Sequence, residues 1–429
     1  MAGTLPLLLL LFMLLFGVPI AVALAGAGMV GIWLVTGDVT RVLGILSLAP
    51  YSAVADYALT TIPMFILMAY LSASSGLARD LYAAAAAWLS HIRGGLAIAT
   101  VFACGIFGAM SGASVAAASV MSKIAMPEMR RHGYSEELGA GAIGVGSTLD
   151  ILIPPSIAMV IYGIATQTSI GKLLIAGIFP GILVGVLLAV LIYVWVRLSP
   201  QHAPTTYRVP LKERWASLGR VWPSMLLIFV VLAMLYTGVA TPTEVGALGA
   251  LMALLIGVAF GRLTARDTVD AIKSTIRTSA MIFLILIGAT VFGYYMTLSR
   301  IPQSVVALVT EMNLNRWVVI VGIILVYFVV SMFMDEIPLL LLTLQLTFPL
   351  ITALGFDPVW FGVVSMLMVA MGLVFPPVGL IAFVVSATAG VDLMKVYKGC
   401  SILMLAIVMT TGLVMVFPQI ALWLPATMR

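Results

Sequence analysis

A chain of 429 residues that is 63% hydrophobic and 9% charged, with a mean hydropathy of +1.21, cannot cover itself with the polar surface a soluble domain needs. Its formal net charge of +5 sits on basic residues in short connections between apolar runs, a pattern that orients spans in a bilayer and is no nucleic-acid footprint. Cys104 and Cys400 lie far apart in apolar stretches and His91, His132 and His202 fall in polar connections, which excludes a disulfide framework and a zinc, haem or iron–sulfur centre.

Taken in chain order, the first element is the charge-free run Leu5–Val35. No Lys or Arg precedes it and it continues apolar to Trp33, so it reads as an uncleaved span and not as a signal peptide. Leu77–Ser90 carries charges on one side and apolar residues on the other, as an interfacial helix or an ordinary connecting helix would. Leu96–Met110 then reaches a small polar tip, Ser111-Gly112-Ala113-Ser114, and a second apolar arm returns to Pro127. Arms of about 15 residues make only ~22 Å of helix, too short for a full crossing, so residues 95–127 read as a re-entrant hairpin. Residues 136–167 form a helix interrupted at Ile153-Pro154-Pro155, where the prolines remove backbone donors. Leu173–Val196 and Val221–Thr243 are further charge-free spans, separated by a basic connection, 201–220. Thr241-Pro242-Thr243-Glu244 has the form of a capping box, and that structural reading outweighs a binding role. Ser299–Met312 repeats the character of Leu77–Ser90. Residues 317–349 form a second hairpin with its tip at Phe333-Met334-Asp335-Glu336, residues 359–388 a second broken helix around Pro376-Pro377, and Cys400–Met428 a last charge-free span. No glycine-rich phosphate loop of the ATPase type is present.

The two halves superpose at a constant offset of 222 residues: Pro127 meets Pro349, Gly133 meets Gly355, Pro154-Pro155 meets Pro376-Pro377, and Gly177 meets Gly399. Arg79, His91, Arg93, Lys123, Arg130 and Arg131 flank the first hairpin, whereas the exit loop of the second, Ile351–Pro358, has no basic residue. Past the broken helices the bias reverses, with Lys172 alone after the first and Lys395 and Lys398 after the second. The positive-inside rule puts the base of the first hairpin and the connections 197–220 and 262–277 in the cytoplasm, and the base of the second hairpin outside. The repeats are then inverted, and counting spans puts the N-terminus inside and the C-terminus outside. The expected architecture is an all-α integral membrane protein with about 9–11 transmembrane helices and two re-entrant hairpins. Its expected division is a first repeat over 1–200, a cytoplasmic loop over 201–220 and a second repeat over 221–429.

Phe107-Gly108-Ala109-Met110-Ser111-Gly112-Ala113-Ser114, Gly146-Ser147-Thr148 with Ile153-Pro154-Pro155-Ser156, Thr241-Pro242-Thr243-Glu244, Phe333-Met334-Asp335, and Gly372-Leu373 with Pro376-Pro377-Val378-Gly379 together resemble one family, over nearly the whole chain. It is the large permease subunit of tripartite ATP-independent periplasmic (TRAP) transporters. The resemblance implies an elevator-type carrier of the bacterial inner membrane that uses a sodium gradient to import a small organic acid. It also implies two partners, a periplasmic substrate-binding protein and a separate small four-span membrane subunit. A stand-alone sodium-coupled organic-anion carrier is the alternative. The sequence departs from the family pattern at four places: Asp150 stands for a usual Gly, Ala113 for Ser, Met368 for Asn and Phe375 for Thr. The last two remove polar groups beside the second break, while Asp150 adds a carboxylate at the first.

Sodium is a hard cation that prefers oxygen ligands, and broken helices at matching positions point to a transporter's binding site. One cation is expected between the Ser111, Gly112, Ser114 tip and the break that holds Gly146, Ser147, Thr148, Asp150 and Pro154. A second is expected between Asp335 and the break at Gly372 and Pro376. The substrate carboxylate is expected between the tips, near Ser111, Ser114, Asp335, Glu336, Pro155 and Pro377. A carboxylate at membrane depth is costly and functional by default, so Asp335 and Asp150 are the sharpest candidates. For Asp335 the competing role is a cap on the following helix. No cofactor and no transition metal are expected.

Overall fold

The computed structural model describes residues 4–204, 206–312 and 314–428. Its regular structure among these is helical throughout. The first half comprises α1 (Leu5–Leu15), α2 (Ile20–Thr36), α3 (Val39–Val54), α4 (Thr61–Ser74), α5 (Leu77–Leu89), α6 (Gly95–Ser111), α7 (Ser114–Arg131), α8 (Glu136–Ser147), α9 (Ile157–Thr166), α10 (Ile170–Ala176) and α11 (Ile178–Leu198). The second comprises α12 (Leu211–Thr237), α13 (Pro242–Ala259), α14 (Ala265–Ser299), α15 (Ile301–Glu311), α16 (Arg316–Ser331), α17 (Glu336–Ala353), α18 (Pro358–Gly372), α19 (Leu380–Ala389), α20 (Leu393–Leu403), α21 (Leu405–Val416) and α22 (Gln419–Ala426). Seven helical stretches among the described residues are long and apolar enough to cross a bilayer. The broken segments are built from shorter pieces, α8 with α9 and α18 with α19.

Several boundaries differ from the sequence reading, each for a local reason. Leu5–Val35 is two helices, not one span. Gly17 adopts φ 73°, Pro19 restarts the chain, and α1 folds back so that the Met13 side chain meets Gly26. The span count that placed the N-terminus inside therefore rests on a segment that reverses direction. The connection 201–220 is shorter than expected, because α12 begins at Leu211 and carries Pro223 within it. The run Cys400–Met428 is divided at Phe417-Pro418 into α21 and the short α22. The hairpin arms run through Pro127 and Pro349 to Arg131 and Ala353, so α7 and α17 have 18 residues each, about 27 Å. The capping box at Thr241 is formed as read: its hydroxyl accepts from the Glu244 N–H, and the Glu244 carboxylate accepts from the Thr241 N–H at 2.7 Å.

Contacts between distant segments assign the ends of helices to opposite faces. On one face Lys395 and Lys398 pair with Glu136 and Glu137 at 2.8 and 3.0 Å, Arg130 pairs with Glu136, and Arg262 with Asp80. The hydrogen bond from Lys395, with Arg130 beside it, holds the Glu136 carboxyl below its ordinary range. Near the opposite face the Tyr162 hydroxyl donates to the Pro358 carbonyl at 2.7 Å, Gly171 meets Met428, and Trp317 packs edge-on against Phe356. The chain thus enters the first hairpin from the face bearing Arg130 and the second from the face bearing Trp317.

Close helix contacts depend on glycine. A Cβ on Gly399 would lie 2.0 Å from the Glu137 carbonyl oxygen and one on Gly141 would lie 2.6 Å from the Gly399 carbonyl carbon, so α8 and α20 touch backbone to backbone.

Candidate functional site

The two hairpin tips, which start from opposite faces, meet at the first break. α6 ends at Ser111, Gly112 takes φ 57°, and Ala113 is extended before α7 starts at Ser114. Only glycine fits at Gly112, because a Cβ there would lie 2.9 Å from the Pro155 carbonyl oxygen. One turn earlier, a Cβ on Gly108 would lie 2.6 Å from that of Asp150. The break itself is a tight turn, Thr148–Ile151, followed by non-helical backbone through Pro155 to Ser156, whose hydroxyl caps α9 by accepting from the Met159 N–H. Such backbone needs protein cover at membrane depth, and the first hairpin supplies it.

Ser114 joins three segments. Its Oγ donates to Asp150 Oδ1 at 2.6 Å and lies 3.3 Å from Glu336 Oε2, at the start of the second hairpin's return arm. A hydroxyl carries one hydrogen, so it serves one of these acids at a time. Ser114 and Glu336 are separated by 222 residues, the offset of the repeat, so corresponding positions of the two tips meet each other. Asp335 caps α17, its Oδ1 accepting from the Glu336 N–H at 2.9 Å, which sets its carboxyl beside Glu336 at the second tip. Ser111, Ser114, Asp150 and Glu336 are all buried. Asp150 Oδ2 and Ser111 Oγ are buried with no hydrogen-bond partner. Among the described residues, no ion pair involves Asp150, Asp335 or Glu336.

Orphaned oxygens in a buried site are what a cation of hard character would satisfy. Among the described residues no three His, Cys, Asp or Glu side chains converge to hold a metal ion. A donor set here therefore has to mix a carboxylate with hydroxyls and backbone carbonyls. Of the other residues expected at the first break, Ser147 and Thr148 spend their hydroxyls on their own helix, donating to the Gly144 and Val145 carbonyls at 2.8 Å. Gly146 lies against Val101 and Cys104 of α6. Pro154 and Pro155 are buried and joined by a cis bond.

The second break is arranged differently. Gly372 abuts Ser331: a Cβ would fall 1.7 Å from the Ser331 hydroxyl oxygen, which donates to the Phe328 carbonyl at 2.8 Å and lies 3.3 Å from that of Met368. Phe375 packs on Phe328, with ring centroids 5.3 Å apart, and the Gly379 N–H donates to the Met332 carbonyl. Pro376 is half-buried and Pro377 exposed, and the Tyr397 hydroxyl lies 3.0 and 2.7 Å from the Pro377 and Val378 carbonyl oxygens, donating its one hydrogen to either. The carboxylates thus gather at the first break, while the second is lined largely by apolar groups. Sequence reasoning missed Ser331 and Tyr397. Ser331 has no hydroxyl at its repeat mate, Ala109, and Tyr397 stands between two lysines read for orientation alone.

The architecture is that of a multi-span helical membrane protein in which two hairpins meet at a broken helix. The family model described as the DctM component of tripartite ATP-independent periplasmic transporters matches residues 7–420. The chain belongs to this family of TRAP large permeases and is a multi-pass protein of the inner membrane. A C4-dicarboxylate TRAP large permease of Pseudomonas aeruginosa is 36% identical over 381 residues, covering 89% of each chain. An ectoine TRAP large permease of Halomonas elongata is 32% identical over 414 residues and 96% of each. Among solved structures, the YdaH transporter of Alcanivorax borkumensis matches with a TM-score of 0.65 over 90% of each chain at 13% identity, a likeness of fold.

Proposed function

We propose that this permease imports a small organic acid by secondary transport driven by a sodium gradient, with elevator-type alternating access. A periplasmic binding protein delivers the acid, and a small membrane subunit completes the complex. The observation that carries the reading is the meeting of both tips at Ser114, between Asp150 and Glu336, beside the unpartnered Asp150 Oδ2 and Ser111 Oγ. A pair of orphaned oxygens next to unwound backbone suits a coupling ion, held by Asp150, Ser111 and carbonyls of the break. Asp335 fixes the start of α17 and brings a further carboxyl to the same tip. Helices start at both tips and after both breaks, and helix N-termini suit an anionic group. Family membership supports the two partners. The dicarboxylate and ectoine permeases among the relatives support a small, carboxylate-bearing substrate.

The test is uptake into proteoliposomes holding the chain with its small subunit, with labelled organic acids offered with and without an inward sodium gradient and the cognate binding protein. Uptake is expected only when both are present. Uptake without the binding protein overturns the tripartite reading in favour of a stand-alone carrier. Uptake indifferent to sodium overturns the coupling.

A further inference from the structure

A cavity of about 670 Å³ lies away from the tips, on the face that bears Lys395 and Arg130. It opens where α5, the return arm α7 and the start of α12 converge. Each element contributes one cation to its lining: Arg79 from α5, Lys123 from α7 and Arg220 from α12. Among the described residues none of the three makes an ion pair or a side-chain hydrogen bond. Two carboxylates also line the cavity, Glu213 and Glu128, the second with Oε1 at 3.1 Å from His132 Nε2, so three cations share the lining with two acids and leave it net positive. Ala83, Ala86 and Ala216 give the lining an apolar part beside these charges.

The level of the cavity is fixed by its surroundings. Trp88 donates its indole N–H to the Arg214 carbonyl and packs edge-on against Trp215, which is exposed, as is Trp222 one turn past Leu218. Tryptophans that present an apolar body beside a polar tip gather at the boundary between hydrocarbon and water. Basic pockets between helices at that boundary on the cytoplasmic side suit lipid head groups. From this geometry we propose that the cavity binds the head group of an anionic phospholipid from the cytoplasmic leaflet. The phosphate sits among Arg79, Lys123 and Arg220 and the glycerol end lies on the alanines. Because Lys123 belongs to the hairpin and the other two cations to α5 and α12, the lipid ties the hairpin arm to both. A free oxyanion shares this chemistry, so the test has to separate it from lipid.

The measurement is native mass spectrometry of the purified full chain after exchange into phosphatidylglycerol or phosphatidylcholine, counting lipids retained. Wild type is expected to keep phosphatidylglycerol and release phosphatidylcholine. Each single Gln substitution of Arg79, Lys123 or Arg220 should weaken retention roughly five-fold, and Lys123→Arg should preserve it. All three side chains are exposed, so the single variants are expected to fold. Equal retention by wild type and all three single variants, or equal retention of both lipids, overturns the proposal. Displacement of phosphatidylglycerol by millimolar inorganic phosphate or succinate overturns it too, and assigns the cavity to a soluble anion.

Discussion

Asp335 has two possible duties, and they can be separated by one atom. Its Oδ1 accepts the Glu336 N–H and so starts α17, while the same carboxyl lies at the tip where Glu336 meets Ser114 and could serve a cation there. Asparagine caps a helix about as well as aspartate but carries no charge. Asp335→Asn is therefore expected to keep the protein folded, with thermal unfolding unchanged within about 1 kcal/mol, and to weaken the sodium dependence of uptake by about tenfold or more. Sodium-driven uptake equal to wild type would leave Asp335 with the cap alone. The same logic shows which residue roles could be read from sequence. Asp150 and Ser114 stood out because a carboxylate and a hydroxyl at membrane depth need a reason, and the structure brings them to 2.6 Å. Ser147 and Thr148 had the same kind of signal, but a hydroxyl can satisfy itself three residues back on its own helix, and sequence cannot tell the two fates apart.

Whole elements were legible wherever proline or glycine punctuated them. Each break contains its tandem prolines, although α8 already ends at Ser147, well before Pro154, whereas α18 ends at Gly372, one turn before Pro376; both tips fall at the polar residues that interrupt apolar arms. Helix ends inside uniformly apolar sequence were not legible: nothing in the hydropathy of Leu5–Val35 announces the reversal at Gly17, and a proline within a membrane helix, as at Pro127 or Pro349, does not have to end it. Packing of elements on each other is also hidden, because it depends on partners distant in sequence. Gly399 is one such place: its missing side chain lets α20 lie on α8 at the Glu137 carbonyl. Gly399→Ala is expected to destabilise the protein by about 1–3 kcal/mol, since backbone on both sides has to move. Gly412→Ala, on α21 with open space around it, should be neutral or slightly stabilising. Thermal unfolding in detergent compares the two, and equal effects would mean that α8 and α20 separate freely.

At the scale of the molecule, orientation follows from which ends of the two halves share a face. The ion pairs of Lys395 and Lys398 with Glu136 and Glu137 tie the stretch after the second broken helix to the base of the first hairpin. The base of the second hairpin, near Phe356, lies by contrast with Trp317 and Trp360. Surface ion pairs of this kind contribute little stability, on the order of 0–1 kcal/mol each, so their value is topological: two segments that touch must lie on one side of the bilayer. The basic residues crowd on the first of these faces, which the positive-inside rule makes cytoplasmic. Two cysteine variants test this directly, because the native Cys104 and Cys400 are buried and give little background. Ala353 and Met394 are exposed, at the end of the second hairpin and just inside α20 respectively. In intact spheroplasts a membrane-impermeant thiol reagent should modify Ala353→Cys and spare Met394→Cys until the membrane is opened. The reverse pattern would turn the whole molecule over and place the cation-lined cavity in the periplasmic leaflet. Modification of both from outside would put on one face two segments that the inverted arrangement requires to lie on opposite faces, and would remove the physical basis for two hairpins entering from opposite sides to meet at Ser114.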